Sequence, residues 1–98
     1  MHAVIRTYTD PTLADQLAGR SGEIEEIISD VQGFRSYYLV RTTEGCTTIT
    51  VCDDQRGTEE STRRAAEWLR DHASEIQSTP PQVTSGEVLI HAGITARV

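Results

Sequence analysis

The stretch from Gly33 to Cys52 constrains this chain most. It reads Gly-Phe-Arg-Ser-Tyr-Tyr-Leu-Val-Arg-Thr, a Thr43-Glu44-Gly45 turn, and then Cys-Thr-Thr-Ile-Thr-Val-Cys. β-Branched and aromatic residues crowd both halves, and a glycine stands ready for the reversal. The pattern predicts a β-hairpin, with the turn over Thr42 to Gly45 and Gly45 supplying a positive φ.

A helical segment flanks the hairpin on each side. Before it, apolar residues recur at Leu13, Leu17, Ile24, Ile27, Ile28 and Val31, which is helical spacing. Asp10-Pro11 is a good helix start, and Gly33 a good stop. Gly19 and Gly22 interrupt the run, so the sequence predicts a kink or two helices separated near Ser21. After the hairpin, Thr58 is the candidate N-cap of a second helix over Thr58 to Ile76, with Ala65, Trp68, Leu69 and His72 on its buried side. A short β-prone run, His2 to Tyr8, opens the chain. A last strand is expected within Val83 to Val98, strongest at Val88-Leu89-Ile90-His91-Ala92. The resulting order, βαββαβ, is the ferredoxin-like α+β arrangement of an antiparallel sheet with its helices on one face. The 98 residues suffice for one domain over 1–98 and not for two.

The charge balance, 9 basic against 15 acidic residues and a net charge of -6, argues against a nucleic-acid partner. The adjacent Arg63 and Arg64 sit among Glu59, Glu60 and Glu67, which reads as a solvated helix face. Cys46 and Cys52, if on one strand, lie roughly 20 Å apart at ~3.3 Å per residue, too far for a disulfide. Unpaired thiols, no leader-like N-terminus and no long apolar run make a cytoplasmic protein without a membrane span the expectation.

Alternation separates the sheet faces. On the third strand Thr47, Ile49 and Val51 are the more apolar set and are assigned to the helices. That leaves Cys46, Thr48, Thr50 and Cys52 on the far side. With them the far face receives Phe34, Tyr38, Val40, Leu89 and His91. A face half apolar and half small-polar wants a partner, and a second copy of the same sheet would cover it by two-fold symmetry. The enclosed space would suit a small flat ligand.

The element order, Gly33-Phe34 opening the second strand, the Tyr-Tyr-Leu-Val-Arg run and the helix ending Glu67-Trp68-Leu69 together resemble the dimeric α+β barrel superfamily. Within it, the chain is most similar to the antibiotic-biosynthesis-monooxygenase-like branch and its small bacterial members. The resemblance spans nearly the whole chain. It implies a homodimer whose sheets face each other. It also implies one of three roles: oxidation of a flat aromatic compound by dioxygen without a cofactor, a non-catalytic ligand-binding or interaction module, or haem binding through His91. The branch often ends its third strand in tryptophan, whereas this chain has Thr50-Val51-Cys52 there and its Trp68 on the second helix.

On this reading His91 is a general base or a ligand-orienting donor near neutral pH, or an interface histidine. Tyr38 donates to a phenol or quinone oxygen, or packs in the dimer seam. Phe34 and Leu89 contact the substrate, with Arg35 and Tyr8 at the rim. Trp68 is read as core. His2, His72 and His91 show no metal-ligand spacing, and Asp53-Asp54 lacks further ligands nearby, so neither metal nor cofactor is expected.

Overall fold

The computed structural model describes residues 1–93. Its elements are β1 (His2–Tyr8), α1 (Leu13–Ala18), α2 (Ser21–Ser29), β2 (Phe34–Arg41), β3 (Cys46–Cys52), α3 (Gln55–Asp71) and β4 (Gln82–Glu87). The four strands form one antiparallel sheet in the order β2-β3-β1-β4. Each crossover, β1 to β2 and β3 to β4, passes through helix. This is the expected ferredoxin-like α+β fold.

The first helical run is two helices, with Gly19 as the C-cap of α1 and Arg20 as the N-cap of α2. Leu13, Ala14, Leu17, Ile24 and Ile28 nevertheless form one buried set with Tyr8, Cys46, Trp68 and Ile76. The hairpin forms as predicted. Its turn closes through Thr42 N donating to Gly45 O at 3.1 Å, and Gly45 N donating to the Thr42 hydroxyl at 3.1 Å.

Gly45 does not supply a positive φ. Among the described residues that conformation occurs at Gly33, φ +83, where the chain leaves α2 and the Gly33 carbonyl accepts from Asp53 N at 2.8 Å. Gly45 is needed for closeness instead. A Cβ there would strike the Tyr8 carbonyl and come within about 3.0 Å of Asp10 N.

Helix α3 begins earlier than expected. Its N-cap is Asp54, whose carboxylate accepts from Gly57 N at 3.2 Å. Thr58 lies inside the helix and buried, its hydroxyl donating to Gln55 O at 3.0 Å. The helix ends at Asp71 rather than Ile76.

The last strand also differs. β4 covers Gln82–Glu87, and its final rung is Val88 N donating to Met1 O at 2.9 Å. The ladder between β1 and β4 covers only these residues. The apolar run Val88-Leu89-Ile90 therefore passes beyond the sheet, with Leu89 84% and Ile90 85% exposed. The remainder of the expected strand, 94–98, lies outside the described residues.

The sheet faces are the main correction. On β3 it is Cys46, Thr48, Thr50 and Cys52 that are buried under the helices, while Thr47, Ile49 and Val51 point away. Registers place Tyr38, Ile49, Ile5 and Thr84 in one row of the remote face, and Val40, Thr47, Thr7 and Gln82 in the next. Tyr38 and Val40 are on the remote face as expected. Phe34 is not. A bulge between Phe34 and Ser36 breaks the alternation, and Phe34 packs against the helix-side core. A bulge inserts one residue and so reverses the parity of everything before it.

Candidate functional site at the helix–sheet boundary

The physical reason for the inverted face is Arg6. In β1 it shares parity with the buried Val4 and Tyr8 and is itself only 1% exposed. A buried guanidinium requires hydrogen-bond acceptors. The strand beside it and the helix above provide them as hydroxyls. Arg6 Nε donates to Thr48 Oγ1 at 3.0 Å, and Nη2 donates to Thr50 Oγ1 at 2.6 Å. Nη1 donates to Thr62 Oγ1 at 2.8 Å and Ser61 Oγ at 3.3 Å. The threonines of β3 face inward because Arg6 does. The small underside of α3, Gly57, Thr58 and Ser61, lets that helix lie close over it.

Arg6 also lines a small cavity of about 20 Å³, with Tyr8, Leu17, Ile24, Tyr37 and Trp68 among its other walls. That is room for one water-sized group. Outside it, between α1–α2 and the β2 edge, runs a cleft of about 550 Å³. Phe34, Tyr37, Tyr38 and Leu39 form its strand side, and Leu17, Ser21, Ile24 and Glu25 its helix side. Leu17, Ile24 and Tyr37 wall both spaces. The outer cleft falls within the size range of small-molecule sites, about 300–1,000 Å³.

Burial sets the protonation of this region. It pushes the Tyr37 phenol up to about 12, partly opposed by Arg6. It pushes Tyr8 up in the same way, and it pulls the Arg6 guanidinium down, the two phenols partly opposing. Near neutral pH both tyrosines are therefore hydrogen-bond donors and not bases. The buried Cys46 and Cys52 thiols are also pushed up by burial, against thiolate reactivity.

Trp68 lines the inner cavity from α3. His72 stacks on it with centroids 4.1 Å apart, Arg20 lies 6.0 Å over its ring, and His72 Nδ1 sits 2.7 Å from the Trp68 carbonyl. Arg64 is more than a surface charge. Its Nη1 donates to the Ile27 carbonyl at 3.0 Å and to Asp30 at 3.1 Å, tying α3 to α2. With Arg63 it holds the Glu60 carboxyl down at about 2.

The structure distributes the sequence-derived candidates unevenly. Phe34 and Tyr38 line the outer cleft. Tyr8 lies in the inner cavity, deep in the core and not at a rim. Arg35 occupies the bulge and pairs with Asp53 at 2.5 Å. Leu89 and His91 follow β4 as exposed chain and line neither space. Sequence reasoning missed Arg6, although its parity with Val4 and Tyr8 was there to be read. Among the described residues, no group of three or more His, Cys, Asp or Glu side chains is placed to hold a metal ion, and no helix is long and apolar enough to cross a membrane.

No family model matches the sequence, and no curated protein matches it. Solved structures do. The heme-degrader MhuD from Mycobacterium tuberculosis, with two hemes bound in its active site, is similar at a TM-score of 0.73 and 16% identity, over 95% of this chain and 100% of that one. A monooxygenase from the gene ActVA-Orf6 of Streptomyces coelicolor, in complex with Nanaomycin D, is similar at 0.62 and 22%, over 98% and 91%. The chain shares their fold. The NE2512 protein of unknown function from Nitrosomonas europaea shares it too, at 0.69 and 16% over 97% and 94%.

Proposed function

We propose that this chain is a monooxygenase-like protein that oxidises a flat aromatic compound with dioxygen and no cofactor, in the cleft between α2 and β2. The observation that carries this reading is the cleft itself. It is open, of ligand size and aromatic on its strand side, and Tyr37 belongs both to it and to the cavity backed by Trp68. The two similar proteins that hold haem or Nanaomycin D support a flat occupant for this fold.

In such a reaction the substrate supplies the electrons. An anthrone-type methylene gives up two hydrogens and takes one oxygen atom from O₂ to become a carbonyl, and the other oxygen leaves as water. The protein's task is to hold the substrate's oxygen while negative charge develops on it. Tyr37 and Tyr8, kept as phenols, are suited to donate to that oxygen. Phe34 and Tyr38 contact the ring at the mouth. The remote sheet face, with exposed Ile5, Tyr38 and Val40, is the surface on which two copies join. Leu89 and His91, exposed past β4, have no role in this reading.

Haem is less well matched. Neither the cleft nor the inner cavity is lined by His, Cys or Met, the commoner haem-iron ligands.

The test is dissolved-oxygen uptake with anthrone in the presence of a chelator. One O₂ consumed per anthrone is expected, with kcat/KM about 100-fold lower in Tyr37→Phe, as for loss of one oxyanion donor. Uptake no faster than the spontaneous rate would overturn the proposal.

A further inference from the structure

The Arg6 guanidinium is held by four neutral hydroxyls and by no acid. Every ion pair among the described residues involves other side chains, and the sheet's exposed arginines, Arg35 and Arg41, each have a carboxylate. A charge taken this far from water without a counter-charge is costly, and folds ordinarily retain one only against a compensating anion. The hydroxyls do not exhaust the group either. Arginine has five N–H donors, and Nη2 makes one bond, to Thr50, leaving its second N–H uncommitted among the described residues. Arg6 lines the inner cavity, whose volume of about 20 Å³ suits an oxygen and excludes a ring. The outer cleft suits the ring, and Leu17, Ile24 and Tyr37 line both spaces.

We propose that Arg6 is the counter-charge for the ligand, so that the site selects a flat aromatic compound carrying an ionised oxygen, a carboxylate or phenolate, over its uncharged counterpart. The ring lies in the outer cleft and the anionic oxygen faces Arg6, beside Tyr8 and Tyr37. The hydroxyl cage then has a purpose that a carboxylate partner would defeat. It fixes the guanidinium in place and satisfies most of its donors while leaving its charge unspent. This inference rests on the cleft being the ligand site.

The test is equilibrium dialysis at neutral pH with 2-naphthoate and 2-naphthamide, which share a shape and differ in charge. Wild type is expected to bind naphthoate at least tenfold more tightly. Arg6→Met is expected to bring the ratio to about one, and Arg6→Lys to keep part of the preference. If both compounds bind equally to wild type, or if Arg6→Met keeps the full preference, the charge assignment is overturned while the cleft stands. If neither compound binds, the cleft reading fails and this inference falls with it. Should Arg6→Met not fold by circular dichroism, the wild-type ratio and Arg6→Lys decide, and loss of fold without any wild-type preference marks Arg6 as structural only.

Discussion

Ile5 and Arg6 are adjacent in β1, and the pleat sends them to opposite faces. The hydrophobic residue faces outward and the charged one inward. Reading the faces by apolarity alone inverts β3, because Thr48 and Thr50 are chosen to satisfy a cation and not to exclude water. The same reading succeeds for Tyr38 and Val40, where no buried charge competes, and fails for Phe34, where a bulge reverses the parity. Residue chemistry also fixes a pH response. Tyr37 titrates at about 12 in the fold against an ordinary 10, so folding favours its phenol form. That contribution is complete below about pH 10 and is lost as pH rises through about 12. Urea unfolding followed across this window should show stability falling with pH, and the fall should be shallower in Tyr37→Phe. An equal slope in both proteins would contradict the assignment.

At the scale of elements, the hairpin and both helical crossovers were legible because turn chemistry and periodicity agree with the tertiary structure. Element ends were less so. The start of α3 moved from Thr58 to Asp54 because an aspartate in extended conformation caps the helix as well as a threonine does. Asp54→Ala should cost about 1 kcal/mol in urea unfolding. Gly33 carries the one positive φ among the described residues, so Gly33→Ala should cost about 1–2 kcal/mol. A change near zero at either position would show that the local geometry is not as described. The end of β4 could not be read from its own residues. Val88-Leu89-Ile90 is strand-like in composition, but the ladder with β1 stops at Glu87.

At the scale of the molecule, order and antiparallel topology followed from the sequence, whereas the place of the cleft did not. It depends on how α1 and α2 sit against the β2 edge and on a cavity built around one arginine, and neither leaves a sequence motif. The remote face, with its row Tyr38, Ile49, Ile5 and Thr84, is the surface expected to pair two copies. Ile49→Asp should therefore shift sedimentation equilibrium from dimer to monomer without loss of helical content, and an unchanged mass would place the interface elsewhere. Two locations then compete for the substrate, the seam between two sheets and the cleft within each copy. A crystal structure of the protein with 9,10-anthraquinone, the product of the anthrone reaction, separates them directly. Density for the rings is expected against Phe34, Tyr37 and Leu39, with one quinone oxygen turned toward the inner cavity. Rings seated between the sheets, against Ile5 and Ile49, would rule out the cleft as the site.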